Sequence, residues 1–436
     1  MKRAFLLLAV TLCFLISNAQ SLSRKVFLGI YMDTVTDEAM RVAKLKKQEG
    51  ILISKIIPGS TSEAAGLQKG DILIRMADST IGSIAQVFRL LKNVHEGDRL
   101  TYSVNRQGKV LSRSLIVKGL PKEKYSDLTV SYGEVRSKGN QLRTIVTKEP
   151  TEAKRPAVLF VPGIGCYSTD SPLDTNRSET QLVNHLARKG FIVMRVDKSG
   201  MGDSKGTPCG LLDFNTEMDG YKEALNALKK MPDVDTARCF IIGHSMGGVM
   251  APVIAREVSI RGIIAYGTIG VNFMQYWADT RKTLADAYEM TDSEKDDYVK
   301  EQCQCAGLLF SAHLKREEIL KINPNCKEVI DILLLRDYPY WEQLTGINIP
   351  AMWQSYTGKV LALWGSADFI SSPEEHKHIV NVVNKYHAGN ALFKEVPNAS
   401  HGMQVAGSFH EGLEDTNFFN TDVAAIMSEW LKQQTN

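Results

Sequence analysis

Surplus charge of either sign is what this chain most plainly lacks: 52 Lys and Arg stand against 49 Asp and Glu. The first 19 residues carry two of the basic residues and no acidic ones, which leaves 52 − 2 = 50 against 49 in the remainder. So balanced a chain offers no electrostatic footprint for nucleic acid or an anionic membrane, and neither is expected as a partner. Cysteine is sparse, seven in 436 residues, and no Cys/His spacing resembles a zinc site, so no metal or other cofactor is implied. After the first segment no apolar run is long enough to cross a bilayer, so no integral membrane span is expected in the mature chain. Repeats and low-complexity tracts are missing as well, which excludes solenoids and disordered tails, and the length suggests two or three domains.

What is present begins with a targeting segment. Lys2 and Arg3 precede an apolar core, Ala4 to Ile16, and Ser17-Asn18-Ala19 then offers small residues at the −3 and −1 positions. Residues 1–19 therefore read as a signal peptide cleaved after Ala19, and the mature protein is expected to be secreted or periplasmic. In that oxidising compartment one disulfide is expected, between Cys326 and either Cys303 or Cys305. Cys166 and Cys209 fall in loops expected near an active site, and Cys239 reads as buried. His376-Lys377-His378 reads as an exposed helix face rather than a metal pair.

The most informative stretch is Cys239 to Val249. Apolar Phe240, Ile241 and Ile242 end a buried strand; Gly243-His244-Ser245-Met246-Gly247 is a G-x-S-x-G pattern; a helix-like run to Arg256 follows. Strand, strained turn with serine at its tip, then helix is the setting of a nucleophile elbow. Around it, strands and helices alternate, which implies a largely parallel sheet. An antiparallel pair, Leu128–Tyr132 and Leu142–Thr147, starts it. Strands at Pro156–Val161, Phe191–Val196, Cys239–Ile242, Gly262–Tyr266, Val360–Trp364 and Ala391–Val396 follow. With Asp197-Lys198-Ser199-Gly200-Met201-Gly202-Asp203-Ser204 after the second of these, residues 127–436 resemble the α/β-hydrolase fold. The aromatic, helical stretch from about 270 to 358 would be a lid, although most of its rings are expected only to join lid helices.

That resemblance implies a chain order of Ser, acid, His. Ser245 is the candidate nucleophile. His401 alone of the nine histidines follows the last expected strand directly, with His410 the nearest rival; it is the candidate base. Asp368, in Gly365-Ser366-Ala367-Asp368, is the candidate acid, its competing role being a cap for the helix from Pro373. His244 should turn toward packing. The oxyanion donors are expected to be the backbone N–H groups of Met246 and Ile164, with Gly165 second to Ile164. These residues point to a serine hydrolase that cleaves carboxylic esters through an acyl-enzyme. The rival readings are a peptidase on short peptides or aminoacyl amides, marked by lid carboxylates that bind a free amine, and a binding protein that uses the hydrolase as scaffold. Glu289, Asp292 and Glu294 read as a solvated helix face.

Residues 24–120 form a separate small, β-rich unit. Phe27-Leu28-Gly29-Ile30 reads as a short strand and Gly50–Ser60 as a strand ending in a turn. Ala64-Ala65-Gly66-Leu67 and Lys69-Gly70-Asp71-Ile72-Leu73 come next, then an amphipathic helix at Ser83–Asn93 and a hairpin turning at Gln107-Gly108. The order, and the A-A-G-L-x-x-G-D-I-L string above all, resembles a PDZ domain of the bacterial type. The resemblance implies that Leu28, Gly29 and Ile30 form a carboxylate-binding loop for a peptide or protein C-terminus. The charged insertion Asp33–Glu49 is a departure expected to cover or reshape that groove. Residues 121–126 read as a linker.

Overall fold

The computed structural model describes residues 22–151, 153–413 and 418–435. The expected signal peptide, 1–19, lies outside them. Two sheets divide the chain. The first holds β1 (Ile30–Asp33), β2 (Ile51–Ile56), β3 (Ile72–Met76), β4 (Ser79–Thr80), β5 (Arg99–Arg106) and β6 (Lys109–Ile116). Its order is β1-β2-β3-β5-β6, with β4 on β3 and β1 at one edge. Gly29 precedes β1 at φ 68°, and a Cβ there would lie 2.1 Å from Ser60 Cβ, so only glycine lets this turn close.

Alternation along the strands sorts the small sheet's two faces. Ile51, Ile53 and Leu73 meet Val87 of the helix Ile84–Leu91 in one cluster. Leu52, Ile72 and Ile74 meet Val35, Ala39 and Ala43 in another. The charged insertion therefore packs on the face opposite that helix. The expectation that it covers the groove is corrected: its apolar residues, hidden among charges in the sequence, have their own pocket behind the sheet.

The second sheet holds β7 (Thr129–Ser137), β8 (Asn140–Lys148), β9 (Arg155–Val161), β10 (Ile192–Val196), β11 (Val234–His244), β12 (Gly262–Tyr266), β13 (Lys359–Gly365) and β14 (Ala391–Val396). Their order is β14-β13-β12-β11-β9-β10-β8-β7. From β9 to β14 neighbours run parallel, while β7 and β8 are antiparallel to their neighbours. The central strands are apolar on both sides because helices cover both faces. This is an α/β-hydrolase arrangement. Between β12 and β13 six helices, from Phe273–Ala287 to Ile349–Ser355, stand over the strand ends. The bond Cys305–Cys326 staples two of their segments, so Cys326 takes Cys305 and leaves Cys303 free.

Residues 121–126 are mostly exposed but anchored at one point. Glu123 is fully buried and holds Arg195 through Oε2 at 2.8 Å and Oε1 at 2.9 Å. An N-terminal strap clamps the other side. Arg24 bonds Asp203 at 2.6 Å and Asp170 at 2.7 Å, Lys25 N donates to Asp203 Oδ1, and Arg143 Nη2 donates to Leu22 O.

Candidate active site

Ser245 sits where β11 gives way to the helix Met246–Glu257, at φ 54° and ψ −121°. A non-glycine residue held there stores strain, and the surroundings over-determine it. Ser245 N donates to Tyr266 O at 2.9 Å, and Thr268 Oγ1 donates to Ser245 O at 2.8 Å. Gly247 and Gly248 make the close approach possible: a Cβ on either would fall within 2.3 Å of Val161 O or Thr268 Oγ1.

The candidate acid and the candidate base meet beside the next strand. His401 Nδ1 donates to Asp368 Oδ2 at 2.9 Å. That leaves Nε2 unprotonated in the neutral ring, as a base requires. Asp368 also accepts from Ile370 N, Ser371 N and Ser371 Oγ at 2.7–3.0 Å. Burial alone would raise its pKa; the His401 charge and these bonds outweigh it and hold the carboxyl below its ordinary range. Gly267, at φ 57°, carries no side chain where a Cβ would stand 3.0 Å from both Asp368 Oδ2 and His401 Nδ1. Since Gly267 follows Tyr266, whose carbonyl holds Ser245, all three residues converge on the end of β12. The helix from Pro373 takes its cap from Ser372, not Asp368. His410 is exposed.

Two other histidines brace this corner. His244 Nε2 donates to His401 O at 2.8 Å, and burial, then the His401 ring, pushes its pKa down to about 3. His376 is fully buried, against the expectation of an exposed face. Its Nδ1 donates to Ser372 O, its Nε2 accepts from Thr268 N, and burial pushes it down to about 4. The His-Lys-His spacing could not reveal this, because only its first member turns inward.

Gly163 lies against the serine: a Cβ on it would come 3.1 Å from Ser245 Cβ. Two cations grip the carbonyls that follow β9. Lys198 Nζ donates to Gly163 O at 2.6 Å, and Arg336 Nη1 donates to Ile164 O at 3.0 Å. Glu217 joins them, 3.0 Å from Lys198 and 2.5 Å from Arg336. The bond Cys166–Cys209, not foreseen from the sequence, ties the same loop to the turn before the helix Phe214–Lys229. Lys198 lies inside the D-x-x-G-x-G-x-S string and so was visible there; Glu217 and Arg336, 119 residues apart, carried no shared signal.

Ser245, Met246 and Ile164 line a cavity of about 440 Å³. Phe273, Tyr276, Trp277 and Trp341 from the helical insertion supply its aromatic wall, so four rings of that aromatic stretch reach it. Its lining includes two arginines and no Asp or Glu. Glu289, Asp292 and Glu294 are exposed, as expected. Among the described residues no group of His, Cys, Asp and Glu has the arrangement of a metal site, and no helix is long and apolar enough to cross a membrane.

Residues 153–296 match a family model described as serine aminopeptidase, S33. Esterase EstD of Thermotoga maritima is 30% identical over 109 residues, 25% of this chain and 26% of that protein. A probable periplasmic serine endoprotease, DegP-like, of Hahella chejuensis is 22% identical over 138 residues, 32% of this chain and 29% of that protein. This chain thus spans under a third of either relative. Among solved structures, Est1E from Butyrivibrio proteoclasticus with ferulic acid bound superposes with a TM-score of 0.46 at 16% identity, over 69% of this chain and 98% of that one.

Proposed function

We propose that this chain is a secreted or periplasmic serine hydrolase that cleaves carboxylic esters through an acyl-enzyme. One observation carries the reading: a strained serine opens into an apolar cavity, near a half-buried histidine hydrogen-bonded to a buried aspartate. Ser245 Oγ attacks the ester carbonyl while His401 Nε2 takes its proton. The resulting oxyanion meets the N–H groups of Met246 and Ile164. Met246 opens a helix, so its N–H has no partner within that helix. A trans peptide sets C=O and N–H opposite one another. Lys198, by holding Gly163 O, therefore aims the Ile164 N–H, and its charge polarises that peptide. Collapse of the adduct expels the alcohol, protonated by His401. Water, deprotonated by His401, then attacks the acyl-enzyme, releasing the acid and restoring Ser245. The insertion acts as the lid that shapes the cavity and keeps out solvent.

An aminopeptidase must bind a free amine, and the cavity lining supplies no carboxylate to hold it, so esters are favoured over aminoacyl amides. In the PDZ-like unit, residues 24–120, β1 is an edge strand, and the charged insertion sits on the other face. A peptide C-terminus could add there as a strand, with Leu28, Gly29 and Ile30 at its carboxylate. Labelling with a fluorophosphonate followed by peptide mapping tests the central reading. The adduct belongs on Ser245 and should be lost in His401→Ala; labelling elsewhere, or none, contradicts it.

A further inference from the structure

The cavity above Ser245 contains a charge that the reaction just described does not use. Arg281, on the helix Phe273–Ala287, lines the cavity together with Ser245. Its guanidinium carbon lies 4.3 Å from the centre of the Trp277 ring. Its Nε is buried and has no hydrogen-bond partner, and among the described residues Arg281 makes no ion pair. Arg195 and Arg336 also leave Nε unpaired, but they, like the equally buried Arg24 and Arg143, each hold a carboxylate, which Arg281 does not. Arg336, the second arginine of the lining, is already neutralised by Glu217.

Arg281 as a whole is only half-buried, but its Nε sits out of water with nothing to donate to, and a buried unpaired donor is unfavourable. The wall around it is largely aromatic and aliphatic, which strengthens any charge interaction made there. A planar fork of N–H donors matches a carboxylate best, and Trp277 already supports one face of the plane. A neutral acyl or alcohol group would leave the cation unmatched; an amine would be repelled.

We propose that the Ser245 cavity takes esters that also carry a carboxylate, which Arg281 binds while Ser245 cleaves the ester bond. The proposal rests on the serine-hydrolase reading and names its substrate class. The carboxylate is a spectator: hydrolysis adds water across the ester bond and gives a second acid and an alcohol, with the bound carboxylate unchanged.

The test compares two pairs of esters on the full chain. One pair places the charge on the acyl side: 4-nitrophenyl hydrogen glutarate against 4-nitrophenyl methyl glutarate. The other places it on the leaving group: 4-acetoxybenzoate against its methyl ester. In at least one pair the acid should exceed its methyl ester in kcat/KM. Arg281→Met, which keeps the aliphatic packing, should lower that ratio by about ten- to a hundredfold, the worth of a charge-assisted hydrogen bond. Arg281→Lys should fall between. A ratio at or below one in both pairs, or a ratio that Arg281→Met does not move while Ser245-dependent hydrolysis continues, overturns the proposal and leaves the hydrolase reading intact. If no ester is hydrolysed, the hydrolase reading fails separately, and calorimetric titration decides the anion site. Octanoate binding that is tighter than octanol binding, and lost in Arg281→Met, upholds it; equal or absent binding overturns it.

Discussion

At the scale of single residues, Asp368 has two jobs that one substitution separates. It receives His401 Nδ1–H, and it ties down the Ile370–Ser371 turn. Asp368→Asn keeps the size but can present an N–H to His401, which favours the wrong ring tautomer. Ester kcat should fall by roughly 10⁴-fold with little change in KM, the cost of that change in a well-studied triad. A loss under tenfold would remove Asp368 from the mechanism. The buried histidines make a separate statement about pH. His376 keeps a pKa of about 4 in the folded chain against 6.5 in an ordinary setting. Between those values the unfolded chain binds a proton that the folded one refuses. Stability from this group is therefore full above pH 6.5 and lost as pH falls toward 4. From pH 7 to 5 the loss is about 2 kcal/mol. Urea unfolding of His376→Gln at both pH values should show a difference smaller than wild type's by that amount; an unchanged difference would mean His376 titrates freely.

At the scale of elements, the loop after β9 is held from three sides: by Lys198, by Arg336 from the insertion, and by the bond Cys166–Cys209. Negative charge reaches the carbonyl oxygen only in the transition state, so misaiming the Ile164 N–H should cost kcat and spare KM. Lys198→Met should lower kcat about tenfold, less than the ~3 kcal/mol of deleting a donor outright. A rise in KM at constant kcat would instead make Lys198 a substrate contact. The elbow and the strands around it were legible because their chemistry sits in short contiguous strings: Gly243 to Gly247 must turn, and Phe240 to Ile242 must be buried. The pairing of Asp368 with His401 was legible because each follows a strand of the same sheet as the one that ends at Ser245. The Lys198–Glu217–Arg336 tie was not, because three distant polar residues look like surface until the chain brings them together. Nor was the Cys166–Cys209 pairing: proximity to the active site placed both cysteines without saying that they meet. Gly29 was singled out for binding, yet its fit against Ser60 already requires glycine there.

At the scale of the whole molecule, the two sheets are joined by buried charge as well as by the segment 121–126. Asp203 belongs to the turn that marks the hydrolase unit, yet it accepts from Arg24, Lys25 N and Arg143. Arg24→Ala leaves Asp170 and Asp203 each short of a cation, and breaking a buried pair in this way typically costs about 3–5 kcal/mol. Chemical denaturation should show a loss of that order, while a loss under 0.5 kcal/mol would make the strap an incidental contact. The strap, through Asp170, and Glu123, through Ser171 N, both reach the loop that follows β9.

The central claim is that Ser245 cleaves esters. The direct measurement compares wild type with Ser245→Ala on one panel: aryl esters of increasing acyl length, charged and neutral, beside aminoacyl and short-peptide amides. The account predicts ester turnover that vanishes in Ser245→Ala, with amides inert. Faster Ser245-dependent cleavage of amides bearing a free amine, or ester turnover that survives the substitution, would contradict it.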